Sequence, residues 1–350
     1  QRVGLSLSVD EKVRIALRIA DLGVHVIEGG FAGSNPKDDE FFRRMERESL
    51  GGTVLAAFGM TRGRGTAPAD DPNLRALAGS WTPVAAVVGK TWDLHVKKVL
   101  RVHPEENLRM IADSVTFLRA QGKRVFYDAE HFFDAFAAHP DYALACLRAA
   151  AEAGAESVCL CDTNGAALPS QVKTVVEQVV GALGGACRVS IHTHNDAGCA
   201  VANSLVAVEA GADSVQGTIN GYGERCGNAD LCSIIPALKL KMGLDCVSDR
   251  DLAKLTDTSR FVAELCNVAP DPQQPYVGQN AFAHKGGMHV AAVNRDPHTF
   301  EHIDPALVGN TPHVLVSELS GRATIDQRAR ELGLAGADQK DLATRVLRRV

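Results

Sequence analysis

Along most of this chain, short apolar runs alternate with longer segments whose apolar positions recur every three or four residues. These are the patterns of buried strands and amphipathic helices. A first helix is predicted behind the capping box Ser8-x-x-Glu11, with Ile15, Ile19 and Leu22 on one face and a stop at Gly23. Val24–Gly30 then reads as a buried strand, and Asn35 followed by Pro36 opens a second helix. Further strands are expected at Thr53–Met60, Pro83–Gly89, Arg124–Glu130, Ser157–Asp162, Arg188–His194 and Ser214–Asn220. A helix from Pro104 carries Leu108, Ile111, Val115 and Leu118 at helical spacing and ends at Gly122. Others are expected near Asp141–Ala153, Pro169–Leu183, Gly198–Ala210 and Asp230–Met242.

Strict alternation of strand and helix predicts a parallel sheet covered on both faces. Polar residues end many of the strands: Glu28, Thr61-Arg62, Glu130, Asp162-Thr163-Asn164, His192-x-His194 and Asn220 onward. In a barrel those ends converge on one mouth, whereas in a doubly wound sheet only the ends near the switch point meet. The expected fold class is therefore α/β, a (β/α)8 TIM barrel. Seven strands can be counted and the chain opens on a helix, so the first barrel strand is expected upstream of Gln1. After about residue 245 the alternation gives way to Pro-containing polar loops, Ala269-Pro270-Asp271-Pro272 through Pro275, and short helices. The expected division is a barrel over 1–245, a mostly helical linker over 246–325, and the start of a truncated regulatory region over 326–350.

The 350 residues are 45% hydrophobic and 23% charged, enough for a sizeable core in a soluble globule. A formal charge of −5 with scattered Lys and Arg gives no footprint for nucleic acid or an anionic membrane. Nine cysteines, none in a CxxC pair, read as small buried thiols in a reducing cytoplasm rather than a disulfide framework. Without a signal peptide or an apolar run long enough to span a bilayer, a cytoplasmic protein is expected.

The sharpest chemical signal is Ser190-Ile-His192-Thr-His194-Asn-Asp196. Alternation along a strand puts His192 and His194 on the same side, where two imidazoles can share a metal ion. The competing reading is a pair of satisfied core histidines. After the last strand, Asn220–Asn228 has glycines at 221, 223 and 227 for tight turning, and Asn228 offers an amide oxygen. Glu130 at a strand end suits a general base, or else an ion pair with a neighbouring strand-end base. Asp162-Thr163-Asn164-Gly165 presents a hydroxyl and N–H groups for a substrate carboxylate, or forms a plain Asx turn. Ala283–His289 is a Gly-hinged segment that can reach over the mouth or lie as a solvated loop. Two neutral imidazoles and an amide leave a divalent cation uncompensated. A carboxylate is therefore expected from Asp196, Glu28, Asp162 or the upstream strand.

His192-Thr-His194-Asn-Asp, Gly221-Tyr-Gly-Glu-Arg-Cys-Gly-Asn228 and the later Gly-x-His289 together resemble the acyl-CoA-dependent Claisen-condensing barrel enzymes. These are the 2-isopropylmalate, homocitrate and citramalate synthases. The stretches 27–37, 89–95 and 127–133 look most like the citramalate-forming branch. The resemblance implies a homodimeric acyltransferase of branched-chain amino acid (isoleucine) biosynthesis, with a linker and a regulatory domain after the barrel. It implies a divalent metal (Mg, Mn or Zn) on His192, His194 and Asn228, plus an Asp from an Arg-Asp-Gly sequence upstream of Gln1. It further implies that acetyl-CoA and a small 2-oxo acid are the substrates, pyruvate in that branch. Thr163 and Glu224 would bind substrate, with Thr163 holding the carboxylate of the 2-oxo acid, while Glu130 and His289 would form the base system. A 2-isopropylmalate synthase using 2-oxoisovalerate is the nearest alternative, and a fragment inactive without the Arg-Asp strand is another. Acyl-CoA lyases and carboxyltransferases fit less well, since those lyases place a Cys loop where this chain has Glu224-Arg225. Amidohydrolases carry His-x-His on their first strand.

Overall fold

A computed structural model of the chain describes residues 2–284, 287–293, 295–314 and Ile325. The expected tail, 326–350, and Lys285-Gly286 of the hinged segment lie outside the described residues. The predicted helix starts form for the reasons their sequences supply. Ser8 Oγ accepts from Glu11 N–H and the Glu11 carboxylate accepts from Ser8 N–H, capping the helix Val9–Asp21. Asn35 accepts from Asp38 N–H at 2.9 Å, and Pro36 begins the helix Pro36–Met45.

Seven strands form one sheet: β1 (Val26–Phe31), β2 (Val54–Met60), β3 (Val84–Lys90), β4 (Arg124–Glu130), β5 (Ser157–Asp162), β6 (Arg188–Thr193) and β7 (Ser214–Gln216). Each pairs in parallel with the next in sequence order, and β7 does not pair with β1 among the described residues. The sheet is strongly curled. In a flat sheet, β4 and β7 would stand about 14 Å apart, three spacings of ~4.8 Å. Yet Gln216 of β7 donates to Asp128 of β4 at 3.0 Å, so the two strands face each other across a lumen.

Alternation along the strands separates two environments. Leu55 and Ala57, Ala85 and Val87, Val125, Tyr127 and Ala129, Val158 and Leu160, and Val189 and Ile191 point outward into the core beneath the helices. The opposite parity carries the polar lumen side chains Glu28, Lys90, Asp128, Glu130, His192 and Gln216. Low in the lumen, Ser157, Ser190 and Ser214 hydrogen-bond in a row, at 2.6 Å for each link.

Two expected strands are shorter than predicted. β6 ends at Thr193, and His194 instead makes an isolated antiparallel bridge to Asn228. β7 ends at Gln216 because the chain turns at Ile219–Gly221, where Asn220 takes a φ of 63°. The linker is mainly helical, as expected, with helices Asp249–Leu252, Leu255–Leu265 and Gly287–Val293. It also forms a small parallel pair, β8 (Ala283–His284) with β9 (His313–Val314). It does not stand apart from the barrel. Leu252, Leu255, Val262, Val277, Phe282 and Val308 share one apolar core with Leu22 behind the first helix and Ile219, Cys232 and Ile235 after β7. Among the described residues no helix is long and apolar enough to cross a membrane.

Candidate active site

The end of β6 and the loop after β7 bring three nitrogen- or oxygen-bearing side chains to one point. His192 Nε2 lies 3.2 Å from His194 Nε2 and 3.0 Å from the Asn228 amide. The loop is built for this approach. Asn195 N–H donates to the Gly227 carbonyl at 2.9 Å, Ala229 N–H to Thr193 at 2.9 Å, and Asn228 N–H to Gly221 at 3.0 Å. A Cβ at Gly223 would collide with the Asn228 side chain, so the glycine there makes room for the amide.

Both imidazoles are held neutral. Burial pushes the His194 pKa down to about 4, helped by His192 and the Arg225 guanidinium, and burial likewise lowers that of His192. His192 Nδ1 faces the Gln216 amide oxygen at 3.0 Å, so that ring donates there and keeps a lone pair on Nε2. His194 Nδ1 is buried without a hydrogen-bond partner among the described residues. Two converging imidazole nitrogens, with an amide that can turn its oxygen inward, form a donor set that suits a divalent cation. No group of three or more His, Cys, Asp and Glu at metal-holding distance occurs among the described residues.

Two of the expected carboxylates are already engaged. Asp162 accepts from Ala166 and Ala167 N–H at 3.2 Å each, and Asp196 takes Arg225 bidentately at 2.8 and 2.9 Å. Glu28 shares the lumen with Asp128. Burial raises Asp128 to about 6, and burial together with the charge of Asp128 pushes Glu28 up to about 8.

Thr163 Oγ1 accepts from His131 N–H at 2.8 Å, which leaves the hydroxyl hydrogen free to donate. Its carbonyl accepts from Arg225 at 2.6 Å, tying the β5 turn to the loop that carries Asn228. Arg225 is thus a clamp over three turns. Glu224 is half exposed and lies 3.6 Å from Arg225, and among the described residues it makes no hydrogen bond or ion pair with the histidines.

Glu130 pairs with Lys90, its direct partner in the β3–β4 register, so the ion-pair reading of this acid is present in the structure. Beside them, Trp92, His95 and His131 form an aromatic cluster, with His95 and His131 edge-to-face at 4.5 Å. His289 lies on the helix Gly287–Val293, exposed, with its ring 4.2 Å from that of Phe300. It packs with the linker rather than with Glu130. The thiols match the expectation in part: Cys146, Cys159, Cys161 and Cys232 are buried and free, but Cys226 of the glycine loop is exposed.

Sequence reasoning missed Lys90, Asp128 and Gln216. Lys90 was detectable as a basic strand end beside an acidic one. Gln216 carries no local signal, since its partners are a strand neighbour and a residue 88 positions away.

Comparison with known proteins decides the family. The model of the HMGL-like family matches residues 1–262, and that of the homocitrate synthase post-HMGL domain-like family matches 276–349. The chain belongs to the HMGL-like family. Five (R)-citramalate synthases are 44 to 51% identical to it; that of Geobacter sulfurreducens is 51% identical over 98% of this chain and 65% of its own length. The chain spans 63–65% of the length of these five relatives. A probable 2-isopropylmalate synthase of Ignicoccus hospitalis is 33% identical, over 99% of this chain and 83% of its own. The hydroxymethylglutaryl-CoA lyase of Pseudomonas aeruginosa shares the fold, with a TM-score of 0.63 at 17% identity, over 76% of this chain and 89% of its own.

Proposed function

We propose that the protein containing this chain is a citramalate-forming acyltransferase. It joins the acetyl methyl of acetyl-CoA to the ketone carbon of pyruvate, and thioester hydrolysis then releases citramalate and CoA. The observation that carries this reading is the convergence of His192, His194 and Asn228 beside the Thr163 turn. Pyruvate is favoured over 2-oxoisovalerate because the (R)-citramalate synthases are 44–51% identical and the Ignicoccus relative 33%.

His192, His194 and Asn228 would hold a divalent cation, Mg, Mn or Zn. When bound, such an ion supplies Lewis-acid polarisation of a ketone carbonyl. The remaining work falls to the chain. The free hydroxyl hydrogen of Thr163 suits the carboxylate of a 2-oxo acid, and Glu224 borders the same loop. Glu130 takes a proton from the acetyl methyl, with Lys90 fixing the carboxylate in place. His289 completes this base system only if the linker closes over the mouth, and closure also excludes water from a carbanion-forming step. We further infer a barrel over 1–245, a linker over 246–325, a homodimer, a cytoplasmic location and a place in isoleucine biosynthesis.

Release of free CoA thiol by the full-length protein tests the reading. Pyruvate should support rapid, metal-dependent release and 2-oxoisovalerate little. Turnover with 2-oxoisovalerate but not pyruvate would make the protein a 2-isopropylmalate synthase instead.

A further inference from the structure

Inside the barrel, one hydrogen-bonded chain runs from the metal-ligand candidates to the far wall. His192 Nδ1 meets Gln216 Oε1 at 3.0 Å, and Gln216 Nε2 donates to Asp128 Oδ1 at 3.0 Å. His192 and Gln216 are direct partners in the β6–β7 register, so their side chains share the lumen face. Asp128 sits opposite on β4, 5% exposed. Each link constrains the next. A primary amide has one donor end and one acceptor end, and the Asp128 oxygen accepts. Gln216 must therefore turn its NH2 to Asp128 and its oxygen to His192. The imidazole can then donate only from Nδ1, which leaves Nε2 bare and aimed at His194 and Asn228.

We propose that Gln216, anchored by Asp128, is a positioning residue that locks His192 in its Nδ1–H tautomer with Nε2 presented to a divalent cation. The proposal rests on the metal reading given above. A ligating histidine needs its second nitrogen tied down, because the ring otherwise swaps tautomer and rotates away, and partners of this kind alter affinity ten- to a hundredfold. An apolar residue at 216 would fill the same space without choosing a tautomer. That difference separates a positioning role from plain core packing.

Two readouts test it on the 350-residue chain. In the metal-free protein with 15N-labelled histidine, long-range 1H–15N spectra should show His192 protonated at Nδ1 and bare at Nε2. Asp128→Leu frees the Gln216 amide to flip and should move part of the population to the other tautomer. In Asp128→Asn the new side chain still carries an accepting oxygen, so the original tautomer should persist. By calorimetry with Mn2+, Gln216→Leu should bind about ten- to a hundredfold more weakly, and Asp128→Asn within about threefold of wild type. Gln216→Met, closer in volume, stands in if the leucine variant does not fold. Nε2 protonation of His192 in the wild-type protein, or wild-type Mn2+ affinity in the position-216 variant, would overturn the relay. Wild-type Mn2+ binding by His192→Ala would instead remove the metal reading beneath it.

Discussion

Two polar strand ends of the same barrel are resolved in opposite ways. After β2, the buried Arg62 guanidinium meets Asp113 at 2.8 and 2.9 Å, Glu106 at 3.0 Å and the Gly63 carbonyl at 3.2 Å, while its backbone N–H donates to Ser114. After β6, His192 Nε2 and His194 Nε2 lie 3.2 Å apart beside the Asn228 amide, and His194 Nδ1 has no hydrogen-bond partner among the described residues. The arginine network is closed: each partner is a protein atom, and its product is stability. The histidine set is open. Buried polar atoms left without partners cost free energy and call for an explanation, a bound ion or water being one. Both sites were polar strand ends in the sequence, so position on the rim does not separate structure from chemistry. The convergence of two imidazole nitrogens and an amide does.

The contrast breaks most sharply on the histidines. His192→Ala and His194→Ala should each cut metal-dependent CoA release in the full-length protein on the order of a thousandfold, the scale of losing Lewis-acid activation. Metal-free thermal stability should hold in His194→Ala, which removes an unpartnered nitrogen, and fall slightly in His192→Ala, which strands the Gln216 oxygen. Gly223→Ala should act more mildly. Its Cβ displaces the Asn228 amide, so Mn2+ affinity should drop about tenfold by calorimetry, as for loss of one supporting contact. Arg62→Met should do the reverse of the histidine variants. It strands Asp113 and Glu106 and should cost about 2 kcal/mol in denaturant unfolding, below the value for a fully buried pair because both acids are partly exposed. Its Mn2+ affinity should stay at the wild-type value.

A further effect is in pH. The folded His194 pKa, about 4, lies below the ordinary 6.5. Between those values the unfolded chain takes a proton that the folded one refuses. Metal-free stability from this group is therefore complete above about pH 6.5, is lost as pH falls toward 4, and changes no further below. Asp128, raised to about 6, acts in the opposite direction. The measurement is thus the Tm of wild type relative to that of His194→Gln across pH 4 to 7, and wild type should gain on the variant as pH rises.

Much of this was legible in the chain. The Ser8 and Asn35 caps, six of the seven strands to within two residues at either end, and the shared face of His192 and His194 all follow from local pattern. β7 did not, because Val215 and Ile219 look like one apolar run until Asn220 turns the chain. Relations across the lumen were hidden for a different reason. Gln216 meets Asp128 only because the sheet curls, and no periodicity reports which strands come face to face. The Arg225 clamp joins Asp196 and Thr163, 29 and 62 residues away, through loop geometry that composition does not encode. Docking of the linker core against the first helix was likewise invisible, since Leu22 reads locally as the last apolar residue of a helix face.

The central claim, that His192 and His194 ligate one divalent ion, is tested most directly by electron spin echo modulation of the Mn2+-loaded protein. The account predicts coupling to two imidazole nitrogens, with one coupling lost in His192→Ala and one in His194→Ala. A Mn2+ signal without imidazole coupling, or one unchanged in both variants, would contradict it.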